Sequence, residues 1–309
     1  MEPHSNNLEL SVILCTYNPR RDILAKALDA VDKQTLPKSR WEFIVIDNNS
    51  SPALTEKELN KDRTLPLRLL QELRQGNVFA RQTGLAAAKA DILLFVDDDN
   101  IMDPDYFETA LKIAAREPKI GAFGGISRGI LEGGPVSGWK KKLLPFLGVR
   151  DYGPNVQTSF EDKWGEWEPI GAGMVFRRDV GLKYVEMVSQ IMDAHTLGRK
   201  GKGLMAGEDS LLARATYRLG YACSYQPGLK FDHYIKKSRL KTSYLARLLH
   251  GHGRSVVNLN RVLGLPNAKL GLSETFARLF YRMGTEGRAG LVWWCWDIGY
   301  YTEMRKKNP

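Results

Sequence analysis

Short apolar runs alternate with amphipathic segments over the first 125 residues of this 309-residue chain. The amphipathic segments repeat apolar residues at helical spacing, as Ile23, Ala27 and Val31 do. Several of the runs are too continuously apolar for a strand with one exposed face, so both faces of their sheet must be covered. This alternation predicts an α/β fold, a mostly parallel sheet with helices on both faces. The predicted strands are Leu8–Cys15, Phe43–Ile46, Leu65–Leu70, Ile92–Val96 and Ile120–Gly124.

The alternation stops between Gly125 and Pro169, where glycines and aromatic residues are frequent. Irregular segments of this length in enzymes are often lids or binding loops, and a loosely structured insertion packed by its aromatic residues explains the pattern equally well. Regular patterns return as a strand-like segment at Gly171–Phe176 and helical segments near Asp179–Met192 and Asp209–Leu219. A second stretch rich in glycine and lysine, residues 197–207, separates the two helical segments.

The fourth predicted strand runs directly into three carboxylates, Asp97, Asp98 and Asp99, followed by Asn100. In open parallel sheets, ligands bind beyond the carboxyl ends of the strands. Adjacent carboxylates raise one another's pKa unless a cation or hydrogen-bond donors stabilise their charges. If the backbone stays extended, Asp97 and Asp99 point to the same side about 6.5 Å apart, and such hard oxygen ligands suit Mg²⁺ or Mn²⁺ shared with phosphate. The pattern favours this metal site over a solvated turn in which Asp98 or Asn100 caps the next helix.

Four short motifs follow one another at the ends of predicted strands and at the start of a helix. They are Cys15–Asn18, Ile46–Ser50, Gly76–Arg81 and Asp97–Asp99. In this order they resemble the family 2 glycosyltransferases, inverting enzymes of the GT-A fold that use nucleotide-sugar donors. The resemblance covers about Leu10 to Tyr234. It implies a Rossmann-like GT-A catalytic domain over residues 1–234, followed by a helical, basic and aromatic region over residues 235–309.

The resemblance implies a nucleotide site on the first two motifs. Thr16, Tyr17 and Asn18 are expected beneath the nucleotide, although Asn18 could equally be a turn residue before a proline. Asp47 is expected to accept a hydrogen bond from the base, which suits the imide N–H of uracil or thymine, while guanine would fit through other edges. Arg81 is expected to face the donor diphosphate or base region, and a solvated arginine at the helix start is the alternative.

The resemblance also implies contacts to the sugar and the metal. Asp97 is expected to touch ribose or the donor sugar, Asp98 to belong with the nucleotide-sugar-binding residues, and Asp99 to ligate Mn²⁺ or Mg²⁺. His233 is expected as a second metal ligand, and a hydrogen-bonded structural histidine fits the position equally well. Gly173 lies in a segment that resembles the family's small-residue segment beside the sugars, where a strand-edge bend would also use glycine.

Glu208 and Asp209 open a predicted helix and resemble the family's Glu-Asp pair. The resemblance makes Asp209 the general base that takes the acceptor's hydroxyl proton, with Glu208 beside it directed at the acceptor. Such a base typically contributes about 10²–10⁴-fold to the rate. The alternative is that both acids only stabilise a helix N-terminus. Farther on, the basic run with Lys236 and Arg239 could clamp the diphosphate or form a solvated turn.

The net charge of the chain is +10, and its basic residues become denser towards the C-terminal third. Nucleic acid, a nucleotide diphosphate and an anionic membrane face are all compatible with this charge; the acidic strand end argues against nucleic acid. The C-terminal aromatic residues could lie at a membrane interface near a lipid-linked acceptor, while packing on the catalytic domain or a subunit contact would also explain them. With the apolar residues among them, this group comprises Phe276, Leu279, Phe280, Met283, Trp293, Trp294, Trp296, Tyr300 and Tyr301.

The sequence predicts a cytoplasmic protein that could also bind the inner face of the membrane. Its start, Met1–Leu10, is polar rather than basic and apolar, which argues against a secretory signal. No apolar stretch reaches the ~20 residues that a spanning helix needs. The 3 cysteines are an odd number without metal-ligand spacing, which fits a reducing compartment.

The expected activity is transfer of a sugar, of the hexosyltransferase type, from a nucleotide diphosphate donor to a hydroxyl of a saccharide or lipid-linked acceptor. The expected setting is cell-surface polysaccharide or glycoconjugate synthesis. The alternatives are a sugar-nucleotide nucleotidyltransferase, for which Thr16–Pro19 lacks the usual glycine-rich basic loop, and a non-catalytic protein that binds nucleotide sugars or membranes. Because the chain has no Gln-x-x-Arg-Trp motif, we do not expect a processive synthase.

Overall fold

The computed structural model describes residues 8–136, 138–191 and 207–306. The polar residues at the amino terminus and nearly all of the 197–207 stretch therefore lie outside the described residues. The strands are β1 (Leu10–Thr16), β2 (Trp41–Asp47), β3 (Leu67–Gln71), β4 (Ile92–Asp97), β5 (Asn100–Met102), β6 (Ile120–Leu131), β7 (Gln157–Ser159), β8 (Val175–Arg177) and β9 (Ala222–Ile235). The helices are α1 (Arg21–Asp32), α2 (Glu56–Leu59), α3 (Asn77–Ala87), α4 (Tyr106–Arg116), α5 (Arg178–Ser189), α6 (Glu208–Arg218), α7 (Thr242–Val262), α8 (Leu272–Glu286) and α9 (Arg288–Met304). Short 3₁₀ segments lie at Lys38–Arg40, Gly138–Leu147 and Lys237–Leu240.

The strands form one mixed sheet in the order β3-β2-β1-β4-β8-β6-β9-β5, with β7 on the edge of β9. The first four strands of this order are mutually parallel, and so are β6 and β9, which form the longest ladder. The predicted α/β class with a mostly parallel sheet is therefore confirmed. β8 runs antiparallel to both β4 and β6 and joins the two parallel halves.

Alternate residues of the central strands face two separate helix layers. On β1, Leu10 and Leu14 pack with α1 and α4 in one apolar cluster, while Ile13 packs with α3, α5 and α6 in another. All three of these side chains are completely buried. Because a fully buried aliphatic side chain contributes about 1.5–3 kcal/mol, each of the two clusters contributes to the stability of the sheet that carries the strand ends.

The irregular stretch predicted after Gly125 has a more definite structure than its sequence indicates. β6 continues as far as Leu131, and the 3₁₀ segment that follows packs Leu143 and Leu147 against α7 and α9 in a third apolar cluster. Side chains from both sides of residue 234 therefore share one core, and the boundary between two domains at that residue stays a prediction. Within the described ranges, no helix combines the length and the apolarity needed to cross a bilayer.

Candidate active site

The polar motifs meet at one edge of the sheet, at the carboxyl ends of three neighbouring strands. In the register of the parallel ladders, Thr16 at the end of β1 lies opposite Asp47 at the end of β2. On the other side of β1, Cys15 lies opposite Asp97, the last residue of β4. Parallel strands end at the same edge, so residues that follow apolar runs in the sequence become neighbours in space.

The three successive aspartates point to different partners. Asp98 accepts a hydrogen bond from the hydroxyl of Thr16, so one predicted nucleotide-binding residue holds another. Asp99 is buried, and its Oδ1 lies 3.3 Å from Nε2 of His233 while its Oδ2 lies 3.4 Å from a guanidinium nitrogen of Arg239. The short strand β5 causes this approach, because it pairs Asn100 with His233 on β9.

Burial and mutual repulsion act on the first two carboxyls of this cluster. Burial and the neighbouring Asp99 raise the pKa of Asp98 to about 7, against the hydrogen bond from Thr16. Burial and Asp99 also raise the pKa of Asp97, against the charges of Arg81 and His233. Since Asp209 acts on the same carboxyl, Asp97 lies within the electrostatic reach of both Asp99 and Asp209.

The residues around Asp99 fit a divalent cation whose remaining ligands come from a substrate. Asp99 and His233 bring a carboxylate and an imidazole together, and Nδ1 of the buried His233 has no hydrogen-bond partner among the described residues. Among those same residues, no group of three His, Cys, Asp or Glu side chains is arranged to hold a metal. Mg²⁺ and ions like it are commonly held by one or two protein ligands plus substrate phosphates and water, so a two-residue site is sufficient.

The two acids at the start of α6 are held by a buried arginine from α3. A guanidinium nitrogen of Arg81 lies 2.5 Å from Oδ1 of Asp209 and 3.3 Å from Oε1 of Glu208. The side chain of Arg81 is only 5% exposed and its guanidinium lies over the ring of Phe95, 4.6 Å from the centroid. Asp209 is 37% exposed, whereas Glu208 is 9% exposed. Asp209 is therefore the member of the pair that a second substrate can reach.

Two glycines of the 171–178 segment have different surroundings. A Cβ on Gly171 would overlap both Arg81 and Asp209, so the ion pair requires a residue without a side chain at this position. Gly173, the residue predicted to contact the sugar, has φ +68° and its carbonyl accepts a hydrogen bond of 2.6 Å from the hydroxyl of Tyr106. A Cβ there would meet Phe231 and Tyr106, so Gly173 serves the packing of the strands, and its contact with a sugar stays a prediction.

The predicted base-recognition residues also tie the loops to one another. Asp47 is fully buried and accepts 2.9 Å hydrogen bonds from the backbone N–H groups of Ser50 and Leu54, one on each carboxylate oxygen. Asn18 has φ +48°. Its side-chain oxygen accepts a hydrogen bond from the backbone N–H of Ser51, in the loop that follows β2. Tyr17, which directly follows β1 at this edge of the sheet, is 48% exposed. A direct contact between Asp47 and a base stays a prediction.

Sequence reasoning overlooked some of the residues that shape the site. Asn77, within the third motif, donates a hydrogen bond from its side chain to Oε1 of Glu208. Phe95 lies beneath Arg81 in the middle of β4, where its sequence suggests only a core residue. Gly148, at φ +78°, brings the end of the 3₁₀ segment against the ring of His233. The motif contained a signal for Asn77, but nothing local in the sequence relates the other two to the site.

The sequence matches the family model described as "Glycosyl transferase family 2" over residues 11–183, which is more than half of the chain. Among curated relatives, the chain is 36% identical over 92 residues to the glycosyltransferase AglE of Haloferax volcanii, covering 29% of this chain and 30% of that protein. It is 23% identical over 259 residues to the glucosyl-dolichyl phosphate glucuronosyltransferase of the same organism, covering 82% and 78%. The chain thus spans about a third of the first of these relatives and most of the second.

Solved structures of low sequence identity share the fold. A fragment, residues 1–349, of TarS from S. aureus superposes with a TM-score of 0.52 at 16% identity, over 96% of this chain and 90% of that one. The mannosyltransferase PcManGT from Pyrobaculum calidifontis, in complex with GDP-Man and Mn²⁺, superposes with a TM-score of 0.54 at 17% identity, over 94% and 73%. These similarities confirm the predicted GT-A fold. The match to the family model, which runs from β1 into α5, shows that the chain belongs to glycosyl transferase family 2.

Proposed function

We propose that this glycosyltransferase is an inverting, metal-dependent enzyme that transfers a sugar from a nucleotide diphosphate donor, with UDP favoured, to an acceptor hydroxyl. One observation carries the proposal. The Asp99–His233 pair and the Arg81–Asp209–Glu208 group lie at the same strand ends. Charges from both groups shift the pKa of Asp97, which lies between them in electrostatic reach. A site for the leaving diphosphate and a site for the base must be adjacent for a direct displacement, and this arrangement supports assigning one role to each group.

Asp209 is the proposed general base. Its carboxylate takes the proton of the acceptor hydroxyl while that oxygen forms a bond to the anomeric carbon, and the bond from this carbon to the diphosphate oxygen breaks. The nucleotide diphosphate leaves with the electron pair, and attack from the opposite side inverts the anomeric centre. Arg81 holds Oδ1 of Asp209, which fixes the direction of this carboxylate next to the buried Glu208.

Asp99 and His233 are the proposed protein ligands of Mn²⁺ or Mg²⁺, which when bound neutralises negative charge on the leaving diphosphate. Arg239 lies 3.4 Å from the same Asp99 carboxylate. A guanidinium in hydrogen-bonding reach of phosphate oxygens can pair with them as well as with a carboxylate. We infer that Arg239 and the neighbouring Lys236 contact the diphosphate.

The residues given to the donor keep the roles that the resemblance implies. Thr16, Tyr17, Asn18 and Asp47 line the proposed nucleotide side of the sheet edge. The relative that covers most of this chain is named a glucosyl-dolichyl phosphate glucuronosyltransferase, which supports a lipid-linked or saccharide acceptor here. We place the reaction in cell-surface polysaccharide or glycoconjugate synthesis, in the cytoplasm at the inner face of the membrane. No observation favours the alternative of a nucleotidyltransferase.

The test measures release of the nucleoside diphosphate from a panel of UDP- and GDP-sugars, with and without Mn²⁺, for the whole chain. We expect turnover of a UDP-sugar that requires the metal and falls about 10²–10⁴-fold in Asp209→Asn. Asp99→Ala should abolish the response to Mn²⁺. Asp91→Asn is the matched control, because Asp91 begins β4 at the opposite edge of the sheet and its side chain is 96% exposed.

Two results would contradict the proposal. If the chain binds UDP in calorimetry but no donor is turned over with any acceptor mixture, the site is a binding site only. If Asp209→Asn and Asp99→Ala both retain the activity of Asp91→Asn, the chemistry lies elsewhere. The anomeric configuration of the product, read by NMR, tests inversion separately from the identity of the base.

A further inference from the structure

Helix α8 exposes its apolar residues and turns its basic ones towards the protein. Leu272, Phe276, Phe280 and Met283 are 55%, 47%, 73% and 45% exposed. Their spacing of four, four and three residues places them along a single stripe of the helix. Surface residues of this type are ordinary when they are scattered, but a continuous stripe of four marks a surface that contacts something apolar.

The orientation of α8 is fixed by a buried carboxylate on α9. Asp297 is completely buried, and its two oxygens lie 2.6 Å from Nε of Arg282 and 3.3 Å from a terminal nitrogen of Arg278. Trp294 adds a 2.7 Å hydrogen bond from its indole N–H to the carbonyl of the buried Thr275. The helix cannot rotate its apolar stripe inward without breaking these bonds and leaving Asp297 buried without its cations.

The C-terminal region that carries this stripe has a positive net charge. Residues 235–309 contain 14 lysines and arginines but only 4 acidic residues, so this region accounts for the whole net charge of +10. The two acids of α8 are neutralised, Glu274 by Arg278 and Glu286 by Lys142. Exposed Lys269 and Arg288 flank the two ends of the helix.

We propose that the outward face of α8 lies in the headgroup region of an anionic phospholipid membrane. An apolar stripe flanked by cations matches a surface that offers acyl chains below a layer of negative charge. A second copy of the chain fits the surface poorly, because two such faces would bring two strongly positive regions together. This inference concerns a surface separate from the sheet edge and holds whatever reaction the enzyme performs.

Flotation of the whole chain with vesicles tests the proposal. We expect the protein to float with vesicles of equimolar phosphatidylcholine and phosphatidylglycerol and to remain unbound with phosphatidylcholine alone. Phe276→Ser combined with Phe280→Ser should lower the partition coefficient by about tenfold or more, since both rings lose their burial in the membrane. Leu182→Ser is the control, because Leu182 is an equally exposed apolar residue (59%) on α5.

Circular dichroism melting curves check that each variant folds, which is expected for changes at exposed positions. The proposal is overturned if the wild-type chain does not float with anionic vesicles, or if the double variant floats as well as Leu182→Ser does. It is also overturned if light scattering shows that the wild-type protein is a dimer, the double variant is a monomer, and the wild-type protein does not bind vesicles. A second copy of the chain would then cover the stripe.

Discussion

Replacing Arg81 by methionine removes a buried cation that pairs with both acids at the start of α6. Arg81 is buried, and burial alone would lower its pKa, yet Glu208 and Asp209 raise this pKa above its ordinary value, so the guanidinium stays charged. In Arg81→Met, Glu208 and Asp209 lose this partner. Removing one partner of a buried ion pair costs about 3–5 kcal/mol.

Two features of the structure reduce that cost. Asp209 is 37% exposed, so water replaces part of the lost interaction, and Asn77 still donates to Glu208. We therefore expect the lower end of the range, about 3 kcal/mol, which is roughly a 100-fold change in the unfolding equilibrium constant. Adding Asp209→Asn to Arg81→Met should recover about 1.5 kcal/mol, since the added change removes a negative charge that Arg81 no longer compensates.

Urea denaturation of the two single variants and the double variant completes a double-mutant cycle. Lys183→Met provides the control, because the ion pair of Lys183 with Glu186 on α5 lies at the surface and such pairs contribute little. Arg81→Lys keeps the charge but loses the planar guanidinium that lies over Phe95, so its stability should lie between those of the wild type and Arg81→Met. A coupling energy near zero, or an Arg81→Met protein as stable as Lys183→Met, would refute the reasoning.

Three further outcomes follow from the geometry of the site and its surroundings. His233→Ala should weaken Mn²⁺ binding about tenfold or more in calorimetry while UDP binding without metal is unchanged; equal Mn²⁺ affinity would exclude His233 as a ligand. Gly171→Ala should separate Arg81 from Asp209, and we expect it to lower kcat and to reduce the free energy of unfolding by about 1–3 kcal/mol. Gly228→Ala is the control and should do neither, because the nearest atom to its Cβ would be a methyl carbon of Thr109 at an ordinary 3.8 Å. The hydrogen bond from Arg74 lowers the pKa of Glu72 from 4.5 to about 2. The stability that the ionised Glu72 provides at neutral pH should therefore be lost as the pH falls from about 5 to 2. The difference in unfolding free energy between the wild type and Glu72→Gln should shrink over this range, and a constant difference would contradict the prediction.

The central strands were predictable because burial on both faces leaves an unbroken apolar run. The run beginning at Ile92 matches β4 to within one residue, and the one at Phe43 lies wholly inside β2. The predicted strand-like segment Gly171–Phe176 overlaps β8 only at Val175 and Phe176. The antiparallel direction of β8 depends on its pairing with β4 and β6, which no local pattern reports. Strands of three residues, as β5, β7 and β8 are, carry too few side chains to show a period.

The site was predictable in its parts rather than in its connections. Asp97, Asp98 and Asp99 follow one strand, so their place at the sheet edge is a local consequence of the sequence. The pairing of Arg81 with Asp209 joins residues 128 positions apart and depends on how α3 and α6 pack on the same face of the sheet. The spacing of residues along the chain does not predict such packing.

Helix α8 shows why the sequence pattern alone cannot decide which side of a helix faces inward. Its apolar stripe has the period of any amphipathic helix, and the usual rule would direct Phe276 and Phe280 to the core. The buried Asp297 reverses this choice, because a carboxylate without water requires cations, and Arg278 and Arg282 on the opposite stripe supply them. Burying the Asp297 carboxylate and exposing the phenylalanines both cost free energy in water. Because an anionic bilayer would take the phenylalanines out of water and attract the cations around them, the orientation of α8 is explained by a surface that the protein meets and not by its own core.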